Sequence, residues 1–307
     1  MDMYQKRKIR KEKRENSNQN EKFHKVVLNW YPGHMAKTRR EIKERLPLVD
    51  IVYEVIDARM PISSRIIDLD DLVKNKPRIL IVTKYDLCDN KVTDKILDNY
   101  IKNGETIVKV DLLHNNGIDK IFMETNKLND KINEVRVSKG MKPRSARVLV
   151  VGSPNVGKST LINKLVGKKA VLTGNKPGVT KTLSWIRIGK NIELLDSPGI
   201  LWPKLENQNH AFNLASLSSI KEEILNLEEL SIYILNKMIK LYPENLEKRY
   251  DISTPTSDVV ELLDIIGKKR GAYIKGGEID YDKVYKIIIS DLKDGSLGKV
   301  TFDRLGE

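Results

Sequence analysis

The stretch Gly152-Ser153-Pro154-Asn155-Val156-Gly157-Lys158-Ser159-Thr160 carries the spacing G-x-x-x-x-G-K-[ST]. That spacing suits a polyphosphate. Glycines let successive backbone N–H groups turn toward one anion, and a helix starting at the lysine adds its N-terminal dipole. The apolar run Arg147–Val151 before it reads as a strand, and Leu161, Ile162 and Leu165 after it read as one face of a helix. This strand–loop–helix context is what the motif requires. Asn155, Val156, Gly157 and Thr160 are then expected to line the phosphates. Lys158 should reach the β- and γ-phosphates and stabilise the transferred group, with the Ser159 hydroxyl on Mg²⁺.

Asp196-Ser197-Pro198-Gly199 ends a later apolar run in the form D-x-x-G. Here Asp196 would hold Mg²⁺ directly or through water, and the Gly199 N–H would face the γ-phosphate. Between the two motifs, Pro177-Gly178-Val179-Thr180 offers Thr180 either as a second Mg²⁺ hydroxyl or as an ordinary solvated loop threonine. Thr83-Lys84-Tyr85-Asp86 closes another apolar run and fits [NT]-K-x-D. The Asp86 carboxylate is suited to the paired N1–H and N2 amino donors of guanine. Adenine lacks that pair and would leave the acid unsatisfied, a mismatch worth about 10⁴-fold in discrimination. Thr83 stands where Asn is commoner, and with Lys84 it completes the base motif. These residues together imply a GTP-binding GTP hydrolase.

Base motifs ordinarily follow the phosphate loop, and here Asp86 precedes it. The order is circularly permuted. A sheet closes in space wherever its termini fall, so such a site survives rewiring. One consequence is that the Asp196–Gly199 segment leads directly into the C-terminal part of the chain. The position after D-x-x-G, which often bears a water-orienting Gln, holds Ile200, followed by Leu201. Another group must orient water. His34 is the candidate, since imidazole orients or relays protons near neutral pH, although a lone His between Gly33 and Met35 is equally suited to a structural role.

Six short runs must position these groups: Ile51–Asp57, Arg78–Val82, Thr106–Val110, Arg147–Val151, Leu183–Ile188 and Asn191–Leu195. Near-continuous apolar strands separated by helical stretches predict a doubly wound α/β sheet. The last two, divided by Gly189-Lys190, predict an antiparallel hairpin on its edge. The character changes after Lys204. Asn226 should cap a helix with Glu229 placed for a capping box, a second helix should run from Asp258 to Ile266 and stop at Gly267, and a third should follow Asp280 with Val284, Ile287, Ile288 and Leu292 inward. The expected division is a basic tail over 1–27, a GTPase domain over 28–204 and a small helical domain over 205–307.

The 307 residues include 55 Lys and Arg against 42 Asp and Glu, a formal net charge of +13. That balance favours polyanions as partners. Seven basic residues fall in the first fourteen positions, without an apolar face or lipidation signal, which argues against stable membrane association. One cysteine, Cys88, excludes an internal disulfide, and neither a secretory signal nor a membrane-spanning run is evident. The expectation is a cytoplasmic monomer.

The chain resembles the ribosome biogenesis GTPase A family of circularly permuted GTPases. The resemblance rests on Trp30–Lys37 (WYPGHMAK), Asp57-Ala58-Arg59, Thr83–Asp86, the phosphate loop, Pro177–Thr180, Asp196–Pro203 (DSPGILWP) and Gly267–Gly271 (GKKRG). It implies a GTPase acting late in assembly of the large (50S) ribosomal subunit, binding pre-ribosomal particles and rRNA through its C-terminal domain. It also points to His34 in catalysis and, through the P-N-x-G-K form, to K⁺ held by Asn155. A loop-stabilising Asn is the alternative there. Lys268-Lys269-Arg270 and Lys275 admit two readings, complements to a helix dipole or contacts to RNA phosphate. An RNA-binding scaffold with nucleotide as a structural ligand is the alternative to the enzyme.

Overall fold

The computed structural model describes residues 33–73, 76–167, 184–189, 191–198, 208–217, 226–252 and 258–306. Six strands form one sheet: β1 (Ile51–Asp57), β2 (Arg78–Thr83), β3 (Thr106–Lys109), β4 (Ala146–Gly152), β5 (Ser184–Ile188) and β6 (Ile192–Asp196). Their order is β3-β2-β1-β4-β6-β5. All neighbours are parallel except β5, which pairs antiparallel with β6 on the edge. Each expected strand is present within a residue or two of its ends, the edge hairpin included.

The sheet fills on both faces because its strands are apolar on both. Helix α1 (Gly33–Arg45) and the short α2 (Leu69–Val73) cover one face, where Ile42, Val52, Leu69 and Leu149 form a core. On that face α3 (Asn90–Lys102) continues the cover over Ile56, Leu80 and Leu97. Asp89 caps α3 by accepting from the Lys91 and Val92 amides, as an N-cap acid should. The opposite face packs against α4 (Ile118–Ser138) and α5 (Lys158–Val166), with Tyr53, Val55, Ile81, Val150 and Ile162 at the centre. Helices on both faces of a mostly parallel sheet make the doubly wound fold.

From the central β1–β4 pair the sheet runs β1-β2-β3 to one side and β4-β6-β5 to the other, with the connections leaving in opposite directions. That pair is the switch point, and ligands of such sheets sit beyond its carboxyl ends. Asp57 ends β1, Thr83 ends β2 and Gly152 ends β4. The permuted motifs therefore meet at one edge.

Two compact units divide the chain, Asn226–Gly298 and a sheet unit of Leu28–Leu225 with Lys299–Glu307. The boundary expected at 204/205 thus differs. Helix α6 (Gln208–Ser216) and residues 299–306 group with the sheet, where Asn213 Nδ2 donates to Ser63 Oγ (3.0 Å) and the Phe302 amide to the Arg59 carbonyl (2.9 Å). The helical unit holds α7 (Leu227–Leu241), α8 (Pro243–Tyr250), α9 (Val259–Lys269) and α10 (Tyr281–Lys293). Asn226 accepts from the Glu229 amide as expected, and Asp258 and Asp280 cap α9 and α10. On α10 the inward set is Tyr281, Val284, Tyr285, Ile288, Ile289 and Leu292, while Ile287 is only half-buried.

Gly267 does not stop its helix. It lies inside α9, which runs on to Lys269, and a Cβ there would stand 2.6 Å from Ile279 Cγ2 and 3.2 Å from Val284 Cγ2. The glycine permits close approach. Gly267→Ala should lower the stability of the helical unit by about 1–3 kcal/mol through overpacking, read as an earlier chemical-denaturation midpoint. An unchanged midpoint would refute this role.

Candidate active site

The phosphate loop leaves β4 at Gly152, where the strands are so close that a Cβ would lie 2.4 Å from the Val55 carbonyl oxygen. Only glycine fits there. Asn155 (φ 61°) and Gly157 (φ 99°) then take left-handed conformations that turn the chain back into α5. Asn tolerates this region better than most side-chain-bearing residues, so Asn155 has a conformational reason to be where it is. The Val156 side chain is fully buried, while Ser159 is half-buried and Thr160 exposed. The first amides of α5 have no intrahelical acceptor, which suits them to an anion.

Lys158 is buried, and its Nζ donates to the carbonyls of Gly152 (2.9 Å) and Ser153 (2.7 Å). Burial pushes its pKa down against the pull of Asp196. Asp196, at the end of β6, is fully buried, and neither carboxylate oxygen has a hydrogen-bond partner among the described residues. Burial pushes its carboxyl up, against the Lys158 charge and the nearby Ser197 amide. A buried carboxylate left this way is costly by itself. A cation would satisfy it.

The base motif is tied to the loop by its own first two residues. Thr83 is fully buried, with its hydroxyl between the carbonyls of Ile56 (2.9 Å) and Val156 (2.5 Å). A β-hydroxyl so placed has no free face for a base, and Thr83 acts on the phosphate loop instead. Lys84 is left-handed (φ 55°), and its Nζ donates to the Asn155 carbonyl (2.9 Å) and pairs with Asp57 (2.9 Å). Asp86 is half-buried and accepts no hydrogen bond among the described residues, leaving its carboxylate available.

Asp57 is the residue the sequence analysis did not assign. It is fully buried and receives the Arg59 amide (3.0 Å), Arg59 Nε (3.0 Å), Arg59 Nη2 (2.9 Å) and Lys84 Nζ. Burial raises its pKa, but these cations outweigh that and hold it well below the usual carboxylate range. The available signal was an acid and a base two residues apart, Asp57 closing β1 and Arg59 just beyond it. Past Arg59, the loop is pinned to the phosphate loop by Ser153 Oγ donating to the Ser64 carbonyl (3.0 Å).

In the loop after β3, Asp111 accepts from the Leu113 and His114 amides (2.9 and 3.1 Å) and pairs with the His114 ring. These contacts hold its pKa below the ordinary value against desolvation. Gly33 and His34 open α1, so the Pro-Gly step feeds a helix directly. That helix is fixed downstream by the bidentate Arg39–Asp68 pair. The His34 side chain, Thr180 and Gly199 lie outside the described residues.

A family model described as a 50S ribosome-binding GTPase matches residues 147–269. The match starts in β4 because the base motif stands upstream of it. Curated relatives named ribosome biogenesis GTPase A share 44% identity in Bacillus cereus, over 91% of this chain and 94% of that one, and 31% in Thermotoga maritima, over 90% and 94%. The chain belongs to the ribosome biogenesis GTPase A family. Solved structures of the Thermotoga maritima protein YlqF, bound to GDP and to GNP, superpose with TM-scores of 0.62 at 27% identity. They cover 87% and 88% of this chain and 100% and 99% of theirs.

A member of this family is a GTPase and uses Mg²⁺, and the residues present fit that ion. Asp196 supplies an unsatisfied anionic oxygen pair, and Ser159 offers a hydroxyl at the helix N-terminus. No group of three His, Cys, Asp or Glu forms a metal cluster among the described residues. When bound, the ion neutralises charge on the β- and γ-phosphates. Lys158 would exchange its two carbonyl acceptors for phosphate oxygens and keep its position.

Thr83→Val keeps the side-chain shape and strips the donor from the Val156 and Ile56 carbonyls. A lost buried hydrogen bond costs about 1–3 kcal/mol. GDP affinity, measured with a fluorescent analogue, should therefore fall about tenfold while guanine-over-adenine selectivity stays intact. A loss of selectivity would mean that Thr83 reads the base.

Proposed function

We propose that this GTPase acts in late assembly of the large (50S) ribosomal subunit, docking on pre-ribosomal particles with GTP bound and leaving on hydrolysis. The observation that carries the reading is the match of residues 147–269 to a 50S ribosome-binding GTPase model, together with relatives named for ribosome biogenesis. Asn155, Val156, Gly157, Lys158, Ser159 and Thr160 hold the phosphates. Ser159, Thr180 and Asp196 hold Mg²⁺, Gly199 senses the γ-phosphate, and Asp86, on a turn set by Thr83 and Lys84, selects guanine.

Ile200 and Leu201 follow the D-x-x-G, so water must be oriented from elsewhere. His34 performs this once the ribosomal partner fixes the start of α1, and K⁺ beside Asn155 adds positive charge at the phosphates. The helical unit meets rRNA phosphate through exposed lysines. Lys268 and Lys275 are open to solvent, whereas Lys269 pairs with Asp251 (2.5 Å) and Arg270 stacks over Tyr250 and bonds the Arg249 carbonyl (3.0 Å). Arg270 is therefore a structural residue within the basic cluster. Among the described residues no helix is long and apolar enough to cross a membrane.

The test is GTP turnover with and without large ribosomal subunits, in KCl and in NaCl, for wild type and His34→Ala. Subunits should stimulate the wild type strongly in KCl, and His34→Ala should remove about 10²-fold or more of that rate. Equal, unstimulated turnover in both proteins would remove His34 from the mechanism. It would favour the RNA-binding scaffold, in which turnover is incidental.

A further inference from the structure

The polypeptide returns from the helical unit to the nucleotide unit at Lys299, and the next residues insert into it. Phe302 is fully buried, with its amide donating to the Arg59 carbonyl (2.9 Å). The Val300 amide donates to the Leu87 carbonyl (3.2 Å), just past the guanine motif. Thr301 is fully buried, its hydroxyl against those of Thr93 (2.8 Å) and the Asp89 amide (3.1 Å). Beyond them stands Asp303, 4% exposed and bearing a charge that needs satisfying.

That carboxylate spends its oxygens on two separate segments. Oδ2 accepts from the amides of Ile62 (2.7 Å) and Ser63 (2.8 Å) in the loop after Arg59, while Oδ1 accepts from Ser63 Oγ (2.5 Å) and Asn213 Nδ2 (2.9 Å). Asn213, itself 2% exposed, also donates to Ser63 Oγ (3.0 Å). The first segment continues to Ser64, whose carbonyl holds Ser153 of the phosphate loop. The second is α6, to which the chain leads from Asp196 and Gly199.

We propose that Asp303 is a positioning residue for the GTPase reaction, locking α6 to the loop behind the phosphate site and so setting the D-x-x-G segment for the γ-phosphate. It touches no nucleotide. Its effect reaches GTP through the downstream anchor of that segment. GDP has no γ-phosphate and does not draw on this position. The inference rests on reading Asp196–Gly199 as the γ-phosphate sensor.

Asp303→Asn keeps an oxygen for the Ile62 and Ser63 amides but sets its NH₂ against the NH₂ of Asn213. The swap Asp303→Asn/Asn213→Asp restores one donor facing one acceptor, with Ser63 Oγ donating to the new carboxylate. In the full chain, affinities for GDP and for a non-hydrolysable GTP analogue should be measured by equilibrium fluorescence. Asp303→Asn should weaken the analogue about tenfold, the scale of a charged hydrogen bond, with GDP held within about twofold. The swap should return the ratio to that of wild type, and Asn213→Ala, which leaves Asp303 its other three donors, should weaken the analogue in the same sense.

Equal losses for both nucleotides, or a swap that restores nothing, would overturn the proposal and reduce the contact to one that merely holds the fold. Gly199→Ala serves as the control. If it shifts the ratio while Asp303→Asn does not, the sensor reading survives and this proposal falls. If neither shifts it, both fall.

Discussion

A carboxylate sealed from water between a guanidinium and an ammonium governs the geometry of this site. Asp57 takes four donors from two residues, and one of them, Lys84, donates a second hydrogen bond to the phosphate loop at the Asn155 carbonyl. Burying three charges is expensive, and removing one partner from such a group leaves the others uncompensated at about 3–5 kcal/mol. The cost brings specificity of position: Lys84 is held in a left-handed conformation that few non-glycine residues adopt, and strain of that kind persists only where the surroundings over-determine it. Thr83 adds a neutral bond in parallel. Two adjacent residues of the guanine motif thereby fix the phosphate loop before any nucleotide arrives.

Permutation becomes harmless in these terms. The motifs communicate through side chains at the carboxyl ends of β1, β2 and β4, and none of those contacts depends on which strand was joined to which. What the rewiring does change is the surroundings. The helix that follows the D-x-x-G segment and the return at residues 300–303 both converge on the loop after Arg59.

Legibility in the sequence followed the range of the forces involved. All six strands, the edge hairpin and the caps at Asn226, Asp258 and Asp280 are local matters of period and hydrogen-bonding type, and each lies close to where it was expected. The phosphate loop is equally local. Gly267 was misjudged because a glycine late in a helical pattern signals a stop by propensity, whereas here the close approach of Ile279 decided the matter. Thr83 was assigned to the base because its motif touches bases, and its burial depends on β1 and the phosphate loop, both remote in sequence. The boundary near residue 205 was set by a change of composition, which carries no information about where Asn213 or the Phe302 amide finds its partner. Ser63, Asn213 and Asp303 are ordinary polar residues until the fold brings them together.

The return of residues 299–306 to the sheet has a consequence for biosynthesis. The helical unit lies between two stretches of the nucleotide unit, so the sheet, its helices and the phosphate loop all leave the ribosome before the piece that closes over Arg59 and Ser63. Synthesis from the N-terminus normally lets an upstream domain finish folding first. Here that order is denied. The donors that Asp303 satisfies at Ile62, Ser63 and Asn213 are all translated before the α7–α10 helices, and Asp303 itself only after them. A protein whose relatives are named for building ribosomes thus completes its own nucleotide unit only after the intervening helical unit has emerged from one.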